Sequence, residues 1–360
     1  MAMNFTLFGY GKAGKTTVFN VLTGARAGTS SFEAGKRNPH ERRSPVPDAR
    51  LDLIAGLYPD KKRVAAAVDF VDLAGVSTGE VKEPVFLGAL RKADIPVHVV
   101  RGFPAAEIPQ AKPVIDPAGD ISAMEDELLL ADLVGIEQRL EKLDKDLKKA
   151  KNPEGEKERE ILLRLKSHLD GGSALRDFPW TEAEEKLTRA FAFLSQKPLL
   201  HIVNVGEADI PMISAIEKAL ARRSPQSKVL AACGRIEAEI QDIEDPGDKA
   251  VFLSEYGLTE TTPTRFFAAA VGLMNIVFFY TIGKDEVRAW PLRRNSTALA
   301  AAGTIHSDIE KGFIRAEVVP CDELFRHGSW SQAKDKGSFR LEGKEYVVQD
   351  GDAVFFRFSP

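Results

Sequence analysis

The sequence predicts an α/β chain in which a largely parallel sheet domain is interrupted by an antiparallel helical hairpin and followed by a small α+β module. Three observations carry this reading. Short apolar runs alternate with helical stretches from Asn4 to about Ala118 ("FTLFGYG", "AAAVDFVDLAG", "IPVHVVRGF") and again at "KPLLHIVNVGEAD" and "KVLAACGRIEAEI", the pattern of strands joined by crossover helices. Between the two blocks, Leu133, Ile136, Leu140, Leu143 and Leu147 recur every three or four residues, which is a heptad seam. From Asn275 the texture is strand-rich, with "NIVFFYTI", "VRAWPL", "GFIRAEVV" and "EYVVQDGDAVFFRF".

These textures divide the chain into residues 1–118 with 197–274 as the sheet domain, 119–196 as a nested helical insert, and 275–360 as the C-terminal module. In the insert, Pro153 and Gly155 supply a reversal, and Leu162, Leu165 and Leu169 offer a second seam for antiparallel pairing. A first helix of about 20 residues would project roughly 30 Å, more than a connection between strands requires, and such a projection invites a partner. Its charge run, "EKLDKDLKKAKNPEGEKERE", reads equally well as the solvated faces of the pair. In the last module Asp350 and Gly351 are placed as a hairpin turn.

Composition sets limits on partners. The 49 basic and 53 acidic side chains leave a formal charge of -4, so no whole-protein attraction to nucleic acid or anionic membrane is expected and any such contact is local. Two cysteines, Cys233 and Cys321, are too few for a disulfide scaffold and too far apart for a paired metal spacing. A cytoplasmic location is expected, and no membrane partner. The apolar stretch from Phe266 to Ile282 contains Asn275 and falls short of the ~20 residues a span needs, so it reads as a buried helix running into a buried strand.

Gly9 to Thr16, "GYGKAGKT", fits the phosphate-loop pattern of glycine, four residues, then Gly-Lys-Ser/Thr, between a strand and a helix start. In such a P-loop the backbone N–H groups around Lys12 to Lys15 surround the phosphates, Lys15 reaches the terminal ones, and Thr16 binds Mg²⁺; Gly9, Tyr10, Gly11, Lys12, Ala13, Gly14, Lys15, Thr16 and Thr17 are the candidate nucleotide-binding stretch. "VDFVDLAG" places Asp72 as the metal-side acid and Gly75 as a γ-phosphate sensor, with Asp69 a second candidate acid. Guanine-specific enzymes of this class carry Asn-Lys-x-Asp after a later strand; this chain offers Asn204, Val205 and Glu207 in "NVGE", with Asp209 as a shifted alternative. The longer Glu207 works against guanine, whereas Asn204 can face the amine and ring nitrogen of adenine. Cys233 and Gly234, at the end of the next strand, complete the candidate nucleotide-binding set.

These blocks, together with "PDARLD", "EVRAWP", "IHSDIEKGFIRAEV", "LEGKEYVVQDGD" and "FRF", resemble the Obg-like ATPase family, also called YchF, in order over nearly the whole chain. The resemblance implies a P-loop domain carrying a helical insert, a C-terminal β-grasp-like TGS module, preference for ATP, and contact with ribosomes or translation components. It also exposes departures. Lys12 stands where the family has Asn, Thr16 replaces Ser, and gapless counting puts Lys36 at the switch threonine, with Thr29 and Ser30 as distant substitutes. Val76 follows Gly75, in agreement with the family's hydrophobic residue, and Gln110 aligns with a family His. Slow or impaired hydrolysis is expected, with Lys12 placed to act beside Lys15 as a built-in cation between the β- and γ-phosphates. The alternatives are a GTP-binding protein, a hydrolysis-deficient nucleotide sensor, or an RNA tether using Arg326, Lys334, Lys336 and Arg340 among aromatics.

Overall fold

The computed structural model describes residues 3–28, 39–77, 83–104, 114–150, 152–221 and 226–359. It contains two compact units, one of Asn4–Arg42 with Asp69–Phe266, the other chiefly of Arg43–Val68 with the chain from Phe267 onward. The sheet of the first runs β2-β4-β1-β5-β6-β7, from β1 (Met3–Phe8), β2 (His40–Pro45), β4 (Ala67–Asp72), β5 (Ile95–Gly102), β6 (Leu199–Val205) and β7 (Ser227–Ala232). β1, β5, β6 and β7 pair in parallel. Strands of a parallel sheet are covered on both faces, so they read as unbroken apolar runs, and all seven residues of β6 are buried. The crossover helices are α1 (Lys15–Thr23), α3 (Pro84–Lys92), α7 (Ile213–Ala219) and α8 (Gly234–Asp242). Phe8, Leu73, Val76, Phe86 and Leu90 form one apolar cluster, Val100, Val203, Val205, Ile236 and Ile240 another.

The insert is a hairpin of α4 (Pro117–Leu147) and α5 (Pro153–Asp170). α4 has 31 residues and spans about 46 Å, half as long again as its seam suggested. Its N-terminal half lies inside the α/β layer: Asp116 caps Gly119 N at 2.9 Å, and Ile121, Met124 and Leu128 are buried in the two clusters just named. Beyond that, Ile136, Leu140 and Leu143 pack on Ile161, Leu162, Leu165 and Leu169. Arg139–Glu158, Arg159–Asp144 and Lys166–Glu137 pair across the two helices at 2.6 Å, so part of the charge run holds the hairpin to itself. α6 (Glu182–Thr188) follows with a capping box made by Thr181 and Glu184; α9 (Pro246–Glu255) closes the unit, and α10 (Thr262–Met274), within which the division falls, runs into β8 (Ile276–Ile282) as its sequence suggested.

The second sheet, β11-β10-β12-β8-β9-β3, combines β8 with β3 (Lys62–Val64), β9 (Glu286–Arg293), β10 (Phe313–Pro320), β11 (Arg340–Glu342) and β12 (Asp352–Phe358). Its helices are α2 (Ala49–Leu57), α11 (Ala298–Ile305), α12 (Ser307–Lys311), α13 (Cys321–His327) and α14 (Trp330–Asp335). Ala298, Ala301 and Ala302 of α11 pack on Val277, Phe279, Val318 and Phe356. Two sequence expectations change here. The chain between β2 and β4, assigned from texture to the sheet domain, clusters with this unit instead: β3 pairs in parallel with β9, Asp48 accepts the Tyr280 hydroxyl at 2.8 Å, and Arg50 pairs with Asp350 at 2.8 Å. Asp350 and Gly351 do not turn a two-stranded hairpin; Asp350 accepts from Phe278 N, and only β12 becomes a ladder strand, between β10 and β8. The short-range turn signal is overridden by partners far away in sequence. No helix among the described residues is long and apolar enough to cross a membrane.

One buried carboxylate ties the hairpin's first helix to the segment that leads into β6. Asp132, 2% exposed, accepts from Leu194 N, Ser195 N and Ser195 Oγ at 2.9, 2.7 and 2.7 Å. Burial pushes its pKa up while the three donors pull it back. Asp132→Ala would strand those donors in the core, and a loss of about 3 kcal/mol in urea unfolding is expected; Asp132→Asn, which keeps an acceptor, should lose less.

Candidate functional site

The loop from Gly9 to Gly14 joins β1 to α1, with Gly14 as the helix N-cap at φ 87°. That left-handed backbone favours glycine, and a side chain there would overlap the amide of Asn204. Lys12 is also left-handed, at φ 64°, a region Asn enters more readily than Lys. Gly11 N donates to Val76 O at 3.1 Å and Val76 N to Gly9 O at 3.3 Å, so the loop is laced to the chain just beyond β4. Lys15 is 7% exposed and its Nζ donates to Tyr10 O at 2.8 Å. Burial lowers its pKa to about 8 against the opposing pull of Asp72. Gly75 sits against this ammonium: a Cβ there would lie 2.8 Å from Lys15 Nζ and 2.8 Å from Gly11 Cα.

Thr16 Oγ1 donates to Asp72 Oδ2 at 2.8 Å. A hydroxyl and a carboxylate in contact at the first turn of α1, both hard oxygen donors, fit Mg²⁺. Asp72, rather than Asp69, is the acid that reaches Thr16. Val76 is 8% exposed and packed with Leu73 and Phe86, so its side chain offers nothing to an attacking water.

On the other side, Asn204 is 6% exposed and uses both ends of its amide: Nδ2 donates to Ala13 O at 3.1 Å and Oδ1 accepts from Gly234 N at 3.0 Å. The sequence reading had it facing a base; the fold first makes it a strut between the P-loop and the β7–α8 junction. Val205 is buried, and so is Cys233, whose thiol pKa burial raises. Thr17 packs beside Gly234. Glu207, half-exposed after β6, accepts from the Tyr256 hydroxyl at 3.1 Å, and its other oxygen lies 3.6 Å from Arg235. Asp209 turns back onto Gly206 instead. Thr29, Ser30, Lys36 and Gln110 lie outside the described residues.

Three features were not read from the sequence. Phe103 stands beside Gly14 and Gly206, at the edge of the space between the loop and Glu207. Tyr10 donates its hydroxyl to Glu127 of α4 at 3.1 Å. Beneath the loop, His98 and His201 are cross-strand partners on β5 and β6 with Nδ1 atoms 3.1 Å apart, and His201 Nε2 is 3.4 Å from Glu125 of α4. Burial, then His201 and Lys15, keep the His98 pKa well below that of an ordinary imidazole. The signal for this pair is parallel register, invisible until β5 and β6 are aligned.

With this geometry in place, likeness to known proteins becomes informative. Residues 4–123 match the model of the 50S ribosome-binding GTPase family, and residues 276–359 that of the YchF-GTPase C-terminal family, described as a protein of unknown function. The chain is 36% identical to the ribosome-binding ATPase YchF of Bacillus subtilis, with 100% of both chains covered. The chain belongs to the YchF, or Obg-like ATPase, family. It is 32% identical to Obg-like ATPase 1 of Oryza sativa subsp. japonica, over 98% of this chain and 91% of that one. The structure of the Schizosaccharomyces pombe YchF GTPase superposes with a TM-score of 0.84 at 26% identity, covering 99% and 97% of the two chains. The α/β architecture with its helical insert and C-terminal α+β module is therefore that of a YchF protein.

Lys15 makes the site's proton balance testable. Its pKa of about 8 in the ligand-free protein lies below that of an exposed lysine, so the unfolded chain holds a proton that the native one releases above pH 8. Native stability of the ligand-free protein should therefore rise with pH between about 8 and 10.5. A bound triphosphate favours the ammonium, so ATP binding should take up most of a proton at pH 9 and almost none at pH 7. Calorimetry in buffers of different ionisation enthalpy measures this; equal uptake at both pH values would contradict it.

Proposed function

We propose that this YchF protein is a Mg²⁺-dependent ATPase of slow turnover that acts with ribosomes in the cytoplasm. The observation that carries the proposal is a complete phosphate and metal corner, Lys15, Thr16, Asp72 and Gly75, beside a position where a water-orienting residue is replaced by the buried Val76. Lys15 would exchange Tyr10 O for the β- and γ-phosphate oxygens, and the Gly75 N–H would meet the γ-phosphate. Mg²⁺, held by Thr16 and Asp72, supplies charge neutralisation between those phosphates when bound. The base would lie between Phe103 and the Asn204–Glu207 turn, where the longer Glu207 in place of the usual aspartate supports ATP over GTP.

The ribosome enters through the relatives, which are named ribosome-binding ATPases, and through the 50S ribosome-binding GTPase model. The helical insert and the C-terminal module, TGS by resemblance, are the parts we assign to that contact. The basic segment around Trp330 supports an RNA tether poorly, because Arg326 pairs with Glu323, Arg340 with Glu342 and Asp352, and Lys334 rests on Phe339. Side-by-side titration with ATP and GTP in Mg²⁺, followed by single-turnover hydrolysis with and without ribosomes, tests the whole reading. Tighter ATP binding with slow, ribosome-stimulated hydrolysis is expected; tighter GTP binding, or bound ATP that is never cut, would overturn it.

We assign Lys12 a catalytic role, in which its ammonium would take the place of a monovalent cation and neutralise charge between the phosphates. Its left-handed backbone suits Asn better, so Lys12→Asn should leave the fold at least as stable. The variant should hydrolyse ATP ~100-fold more slowly without potassium and recover with it, the lower end of what a single transition-state charge stabiliser contributes. An unchanged rate and potassium response would remove Lys12 from the mechanism.

A further inference from the structure

The carboxylate of Glu207 is held from two sides by residues that no sequence motif singled out. Tyr256, the C-cap residue of α9, donates to Oε1 at 3.1 Å, and its ring rests on Phe252 with centroids 5.3 Å apart, which orients the hydroxyl toward Glu207. Arg235, in the first turn of α8, places Nη2 3.6 Å from Oε2 and its Nε 3.4 Å from Glu239. Guanine presents two neighbouring N–H donors to a carboxylate, which must turn both oxygens toward them. Adenine presents on that edge a single amine beside a ring nitrogen that accepts. A carboxylate engaged once at each oxygen keeps one lone-pair direction free on each, so its capacity does not exclude guanine; what the two partners set is the plane and direction of the group, which then meets a single amine more readily than two donors side by side.

We propose that Tyr256 and Arg235 are specificity-determining residues that hold Glu207 in an orientation accepting adenine and disfavouring guanine. This rests on the reading that Glu207 faces the base. It deepens that reading, because the longer side chain alone would still be free to rotate both oxygens onto guanine; the clamp supplies the constraint.

The test is displacement of a fluorescent nucleotide from the full-length protein by ATP and by GTP, each with Mg²⁺, for Tyr256→Phe, Arg235→Gln and the double variant. Tyr256→Phe keeps the ring on Phe252 and removes only the hydroxyl, so an unchanged unfolding midpoint is expected. The double variant should lower the ATP-over-GTP preference ~10-fold, mainly by tightening GTP, which is the scale of one charge-assisted hydrogen bond. An unchanged ratio, or equal weakening of both nucleotides, would overturn the proposal and make Tyr256 a packing residue. Glu207→Gln in the same assay separates the two levels. If it shifts the ratio while the clamp variants do not, the base reading stands and the clamp falls. If it shifts nothing, Glu207 does not face the base and both fall.

Discussion

The site depends on one buried amide. Asn204 sits at the end of β6, where the parallel pairing of β5, β6 and β7 fixes its height, and it bonds the P-loop at Ala13 O and the start of α8 at Gly234 N. Three loops from strands distant in sequence are thereby held at one spacing. Neither bond is strong alone, since a net hydrogen bond contributes about 1 kcal/mol. Their value is geometric: an unsatisfied carbonyl or N–H at this depth costs more than the bond gains, so the loops have little freedom to drift. Gly14 is required by the same constraint, because any side chain there would meet that amide.

Around this strut the phosphate corner is electrostatically poised. A lysine buried against a loop carbonyl is held in an environment that disfavours its charge, and a polyanion relieves that cost on arrival. Gly75 packs so closely on Lys15 and Gly11 that the chain following β4 and the P-loop behave as one surface. Thr16 and Asp72 already touch. The groups proposed to hold phosphate and metal thus already lie together, whereas the position after Gly75 is filled by a buried apolar side chain. Slow turnover is proposed from this difference between a nearly assembled phosphate corner and an apolar position beside it.

The loop also has a floor that links it to the insert. Tyr10 reaches Glu127, while His98 under the loop meets His201, which faces Glu125. Both acids belong to the first turns of α4, the helix that runs on to form the hairpin. The hairpin is thus anchored within the nucleotide unit by buried polar contacts as well as by the apolar side chains of Ile121, Met124 and Leu128.

The sequence by itself determined the elements whose signal is local. The P-loop follows from eight consecutive residues, the hairpin from a leucine seam, and the buried strands from apolar runs, because backbone conformation and burial periodicity are written over short distances. Asp72 and Gly75 could be proposed for the same reason, lying at a strand end in a short motif, and the fold sets Asp72 against Thr16 and Gly75 against Lys15. What only the tertiary structure decided depends on register and long-range pairing. That the chain between β2 and β4 clusters with the C-terminal unit rests on β3 finding β9 more than 200 residues later. The fate of Asp350 rests on Phe278 and Arg50, the histidine pair on the alignment of β5 with β6, and the hold on Glu207 on Tyr256 from another helix. A side chain's type is local information, but the partner that satisfies it is chosen by how strands align and helices pack, and no short window of sequence contains that choice.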